Sequence, residues 1–144
     1  KYNLPDILSA IGRVQLGKAD KFKEERSKIA ARYNTAFLEL GAEVLPPGHD
    51  APDHAWHLYS FMLPSPSNMR DAFIQALTEQ GIGTSVHFIP LHLMPYYKNA
   101  YGLKPEDYPN AYANYGKVVS LPIWHGMTEE QTGRVIDSVK SVFR

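Results

Sequence analysis

The 144 residues contain no cysteine. That excludes disulfides, thiolate nucleophiles and cysteine-ligated zinc together. A charge excess is missing as well. Lys and Arg number 15 and so do Asp and Glu, so no bulk field points to nucleic acid or to an anionic membrane as partner. No apolar run reaches the ~20 residues that span a bilayer. No signal-peptide pattern opens the chain, so the cytoplasm is the default expectation. Phosphate-binding Walker loops, dinucleotide fingerprints and Ser/His/Asp arrangements are all absent, as are internal repeats. What is present is an ordinary globular composition, 44% hydrophobic and 21% charged, with 10 Gly and 11 Pro dispersed. At this length one domain can bury its own core. The opening Lys1-Tyr2-Asn3-Leu4-Pro5-Asp6 has no Met and reads as part of something longer.

Periodicity predicts the elements. Asp6, as an N-cap or in the first turn behind Pro5, starts a helix with Ile7, Ile11 and Val14 on one face. Helical spacing resumes through Phe22, Ile29, Tyr33, Phe37 and Leu40, with Gly41 as the stop. The result is two helices, or one helix kinked near Gly17. On the outer face Lys21–Glu25 and Glu24–Lys28 are spaced to pair, which marks a solvated surface. A short strand at Glu43–Leu45 ends at Pro46-Pro47-Gly48, and Ala55–Leu63 predicts a strand covered on both sides. After a turn at Ser65-Pro66-Ser67, Asn68 opens a helix with Met69, Phe73, Ala76 and Leu77 inward, closed by Gly81. Thr84–Phe88 predicts a strand, Leu91–Tyr101 a short helix stopped by Gly102, and Leu103–Asn110 a loop. A short helix near Ala111–Lys117, a strand at Val118–Leu121 and a last helix follow. Thr128 and Gln131 form a capping box for that helix, with Val135, Ile136, Val139 and Phe143 buried. The fold class expected is α+β, a small, mostly antiparallel sheet covered by helices.

Six histidines are the candidates for chemistry. His54 and His57 stand three apart, which on a strand sends them to opposite faces; a packed or hydrogen-bonded structural pair is expected there, not a metal site. His87 and His92 flank Phe88-Ile89-Pro90-Leu91, where a strand ends and a proline-directed loop begins. Ligand-binding groups concentrate at such ends, and imidazoles there can donate or accept near neutral pH. From composition and spacing alone, a binding or dimerisation module remains as open as an enzyme.

Several linked blocks resemble the DegT/DnrJ/EryC1/StrS family of sugar aminotransferases. They are Lys1-Tyr2-Asn3-Leu4-Pro5-Asp6-Ile7 with Ala10-Ile11-Gly12 and Gln15-Leu16; Arg26–Tyr33; and His54-Ala55-Trp56-His57-Leu58-Tyr59. The strongest runs from Arg70-Asp71 through Gly81-Ile82-Gly83-Thr84, Val86-His87-Phe88 and Pro90-Leu91-His92 to Pro95-Tyr96-Tyr97. Ser120-Leu121-Pro122-Ile123 and Met127-Thr128-Glu129-Glu130 complete the order. Lys1–Asp6 and His54–Leu58 resemble most the members acting on a UDP-linked 4-keto sugar.

The resemblance implies residues 1–144 as the C-terminal, small domain of a fold-type I enzyme, with a helical connection at 1–41. It implies pyridoxal 5'-phosphate as cofactor, glutamate/2-oxoglutarate and a nucleotide-sugar as substrates, and a homodimer with its site at the subunit interface. It places the Schiff-base lysine upstream of Lys1, so no catalytic residue is assigned within the chain. Aligning on Asp6 brings either Lys1 or Asn3 to the cofactor phosphate of the partner subunit. His87 matches a histidine near the substrate, His92 is a weaker candidate behind it, and Tyr96 and Tyr97 are expected to pack. A sister dehydratase, which carries histidine in place of that lysine, stays open, and no metal is expected.

Overall fold

A computed structural model describes residues 3–40, 43–44, 53–64 and 69–143. The expected turns at Pro46-Pro47-Gly48 and Ser65-Pro66-Ser67, the stop at Gly41, the Asn68 cap and Leu45 lie outside them, as does Lys1.

Helix α1 spans Asp6–Leu16 and follows Pro5, whose φ of −57° is already suited to a helix start. Asp6 sits in the first turn, where a carboxylate complements the helix N-terminus, and makes no side-chain cap. Gly17 and Lys18 form the break, and α2 then runs from Ala19 to Leu38. Two helices, not one, fill this stretch. Along α2 the outer face is charged: Lys28 meets Glu24 at 2.6 Å, and Lys21 lies 3.9 Å from Glu25. Exposed pairs of this kind add only a few tenths of a kcal/mol each, roughly 0.3–0.5. The inner face buries Ile29, Ala30, Tyr33, Asn34 and Phe37.

Three antiparallel strands follow in the order β1 (Glu43–Val44), β2 (Tyr59–Met62) and β3 (Val118–Leu121). The register sets Ser60 opposite Ser120 and Phe61 opposite Val119. Because strand side chains alternate, Tyr59 and Phe61 share one face and Ser60 the other. The first face carries the core. Phe61 meets Phe37 of α2 edge-on at 5.1 Å and stacks on Phe73 of α3 (Arg70–Glu79) at 5.7 Å. Tyr33 meets Tyr59 edge-on at 4.9 Å. Helix α6 (Glu129–Val142) closes this layer through Val135 and Val139. Its start is the expected capping box: Thr128 Oγ1 accepts from the Gln131 amide at 3.1 Å, and the Thr128 amide donates back to the Gln131 side chain at 2.9 Å.

Four expectations need correction. The strand predicted over Ala55–Leu63 is confined to Tyr59–Met62. Trp56 adopts φ 48°, a left-handed conformation that breaks any ladder, and its buried ring instead stacks toward Tyr59 at 6.0 Å. Thr84–Phe88 is not a strand beyond one bridge, Ser85 to Ser120. Pro90 offers no amide hydrogen, and the chain leaves the sheet with Phe88 almost wholly exposed. The single helix expected over Leu91–Tyr101 is a 3₁₀ turn at Leu91–Leu93 followed by α4 (Pro95–Tyr101), because Pro95 restarts the helix at its first position. Gly102, at φ 65°, ends it as expected. Pro109 likewise begins α5 (Pro109–Tyr115) ahead of the predicted Ala111.

Helix α1 buries none of its residues. Ile7, Leu8, Ile11, Val14 and Leu16 are all more than half exposed. The apolar stripe is real, and no described residue covers it.

Candidate functional site

The sheet face opposite the aromatic core carries Ser60 and Ser120, brought side by side by register although 60 positions apart. His87 lies over them. Its Nε2 is 3.1 Å from Ser60 Oγ and 3.2 Å from Ser120 Oγ. Two backbone hydrogen bonds fix the segment there: the Ser85 amide to the Ser120 carbonyl at 3.2 Å, and the Ser120 amide to the Ser85 carbonyl at 2.8 Å. The His87 ring is half-buried and borders a cleft of about 260 Å³ with Ser60, Phe88, Pro90, Asn114 and Tyr115. Its far wall is anchored by Arg70, whose Nη1 donates to the Tyr115 carbonyl at 2.7 Å while the guanidinium lies 4.9 Å from the Tyr115 ring centroid. A cation held over an aromatic face and hydrogen-bonded at once resists displacement. The cleft offers an imidazole, a hydroxyl and a carboxamide among apolar walls, which is a common make-up for small-molecule sites.

His92 is placed differently. Its ring is buried and stacked on Tyr108 at 4.8 Å, and its Nε2 finds no hydrogen-bond partner among the described residues. It does not border the His87 cleft. His54 accepts a hydrogen bond from the Trp56 amide at 3.2 Å, in the hydrogen-bonded role expected of it, while His57 is exposed. Asp53, His54, His57 and Ser60 border a second hollow of about 360 Å³, so Ser60 separates two cavities. Among the described residues no three His, Asp or Glu side chains gather as a metal site. Tyr96 and Tyr97 meet edge-on at 5.3 Å on an exposed surface. Asn3 is exposed, ahead of α1 and close in sequence to its N-terminus.

Sequence reasoning singled out His87 from its place near the end of a predicted strand. It missed Ser60, Ser120, Asn114, Tyr115 and Arg70. Nothing in a lone strand serine marks it as a partner for an imidazole.

Comparison with known proteins gives the class. Residues 1–140 match the model of the DegT/DnrJ/EryC1/StrS aminotransferase family, and the chain belongs to that family. It is 42% identical over 144 residues to the uncharacterized protein MJ1066 of Methanocaldococcus jannaschii, covering 99% of this chain and 37% of that protein. It is 38% identical over 147 residues to the spore coat polysaccharide biosynthesis protein SpsC of Bacillus subtilis, covering all of this chain and 38% of SpsC. Among solved structures, the PLP-form of Spr1654 from Streptococcus pneumoniae, described as a sugar aminotransferase, superposes with TM-score 0.88 at 30% identity. The match covers 98% of this chain and 36% of that one. The PMP-form of the same protein also gives 0.88. The chain thus spans between a third and two fifths of the length of these relatives.

The described residues fit a partial role toward a phosphorylated cofactor. An exposed carboxamide at Asn3 can donate to a phosphate. Lys21, Lys23, Lys28 and Lys140 face carboxylates at 3.9, 3.8, 2.6 and 2.9 Å, and among the described residues no lysine borders the His87 cleft.

Proposed function

We propose that the chain is the small, C-terminal domain of a pyridoxal-phosphate-dependent enzyme that moves an amino group from glutamate to a nucleotide-linked keto sugar. The observation behind this is the end-to-end match, by sequence and by fold, to a family whose solved relative Spr1654 has PLP- and PMP-forms. The substrate we favour is a UDP-4-keto sugar, as in making UDP-4-amino-4-deoxy-L-arabinose for lipid A or other cell-surface polysaccharide. SpsC, a polysaccharide biosynthesis protein, supports that setting. The uncovered apolar face of α1 supports a homodimer, or packing on a larger domain of the same protein.

When bound, the cofactor supplies the electron sink at the substrate carbon. This chain's own residues bind and orient. Asn3, or Lys1 two residues before it in sequence, would hold the cofactor phosphate of the partner subunit, where a charge-assisted hydrogen bond is short and strong. His87 presents its ring to the sugar from the cleft, and His92 holds the Pro90–Met94 turn behind it through Tyr108. Arg70 keeps the Tyr115 wall in place, which narrows the cleft and limits water. The test is product analysis: the intact protein with pyridoxal phosphate, glutamate and a UDP-4-keto sugar should yield 2-oxoglutarate and a UDP-amino sugar by mass spectrometry. Loss of a sugar hydroxyl without amination would instead identify the sister dehydratase.

A further inference from the structure

We infer that Ser120 is a positioning residue that holds His87 as its Nδ1–H tautomer, making the ring a hydrogen-bond donor toward the cleft. The ligand group it meets is then an acceptor oxygen: a hydroxyl, carbonyl or phosphate oxygen. The inference rests on the proposed role of His87 at the substrate and adds the direction of that contact.

Protons must be satisfied at one crowded nitrogen. Nε2 has either one hydrogen or one lone pair, yet two hydroxyls stand at 3.1 and 3.2 Å from it. The two hydroxyls differ in setting. Ser120 is 5% exposed, and its Oγ makes no other hydrogen bond among the described residues. Its proton therefore has one acceptor in reach, the Nε2 lone pair. Were Nε2 protonated, the Ser120 hydroxyl proton would be buried without an acceptor, the arrangement folded proteins avoid. Ser60 has no such constraint. It is half-buried and borders both hollows, where its proton can turn to water or ligand. With Ser120 donating to Nε2, a neutral ring carries its hydrogen on Nδ1. No described protein group bonds Nδ1, which leaves it for whatever enters the cleft.

The arrangement also has a structural logic. Ser120 is doubly hydrogen-bonded through its backbone to Ser85, two residues before His87. Backbone pairing and side-chain bond thus fix the same short segment from one residue. A histidine held by only one of these would be free to swing or flip.

The test is long-range ¹H–¹⁵N correlation of histidine-labelled intact protein at about pH 8.5, above the ordinary imidazole range. The wild type should show His87 with a protonated, pyrrole-type Nδ1 and a pyridine-type Nε2. In Ser120→Ala the pattern should shift toward Nε2–H donating to Ser60. Ser120→Thr, which restores a hydroxyl, should restore the wild-type pattern. The expected kinetic companion is a fall in kcat/KM for the keto sugar of about three- to tenfold in Ser120→Ala, recovered in Ser120→Thr. A wild-type ring that is Nε2–H or doubly protonated overturns the inference, even if Ser120→Ala proves unstable. So does a spectrum unmoved by Ser120→Ala. A Nδ1–H ring whose disturbance leaves kcat/KM untouched would instead remove His87 from the substrate contact and leave the tautomer assignment standing.

Discussion

Two buried phenols should make this fold fail in alkali, and the failure can be dissected. Tyr33 and Tyr59 are 0% exposed, and burial pushes both hydroxyls above the ordinary tyrosine range. The nearby Arg32 opposes the effect slightly at Tyr33, and Tyr33 itself adds to it at Tyr59. Each proton is also committed: Tyr33 donates to the Pro122 carbonyl at 2.9 Å and Tyr59 to Asn34 Oδ1 at 2.8 Å. In the unfolded chain both titrate near about 10. Above that pH the unfolded state sheds protons that the folded state keeps, so it binds fewer, and stability falls as pH rises. Below it the contribution of both groups is fully present. Each phenol costs about 1.4 kcal/mol per pH unit climbed past its unfolded value, hence about 2.8 kcal/mol per unit for the pair. Two units would remove ~5 kcal/mol, the lower end of what a domain possesses. Urea midpoints measured from about pH 9 to 11.5 at constant m give the slope. Tyr59→Phe should lower stability at every pH by about 1–3 kcal/mol, because buried Asn34 Oδ1 loses its donor. It should also halve the alkaline slope, as should Tyr33→Phe. If each variant shifts the level and leaves the slope unchanged, the phenols are not what alkali attacks.

Three further expectations follow from the same geometry. Thr128→Ala removes the acceptor for the Gln131 amide and half of the reciprocal cap, and should cost about 1 kcal/mol, read as a drop in Tm. Asn3→Ala and Lys1→Ala should weaken cofactor retention by up to about 1.5–3 kcal/mol each while Tm in the cofactor-free protein stays put, with equilibrium dialysis as the measurement. His87→Gln should lower kcat/KM for the keto sugar with the glutamate half-reaction and Tm little changed; equal loss in both half-reactions with a large fall in Tm would mark a structural residue instead.

Much of the fold was legible because its signals are local. Ile29, Tyr33 and Phe37 recur at helical spacing and are buried as expected, and the Thr128–Gln131 box fixes where α6 starts. The strand Val118–Leu121 was read to the residue, a short apolar run between a turn and Pro122. The two strand misreadings share a cause. Ala55–Leu63 and Thr84–Phe88 have strand-like composition, yet strands form only where a partner edge is offered. One edge of β3 is taken by β2, and the segment at Thr84–Phe88 pairs with it through Ser85 alone. Composition records the propensity of a segment and is silent on whether a neighbour is in place.

The site shows the same limit more sharply. His87 was visible, since a histidine beside a strand-like segment ahead of a proline is a local pattern. Its setting was not, because Ser60 and Ser120 acquire meaning only through register: a one-residue slip of β2 against β3 would turn the Ser60 hydroxyl into the aromatic core and present an aromatic ring to the imidazole beside Ser120. Register in turn is held by Tyr59 and Phe61 seeking the face that α2 and α3 cover. The apolar packing on one side of the sheet thus fixes the polar chemistry on the other. A cavity-forming change such as Phe61→Leu acts first on stability, but through register it also bears on how firmly Nε2 of His87 is held. Helix α1 marks the complementary case. Its stripe of Ile7, Ile11 and Val14 was predicted from spacing and is present, yet spacing cannot name the surface that covers it. An amphipathic period is half of an interface, and the other half has to be found in the molecule.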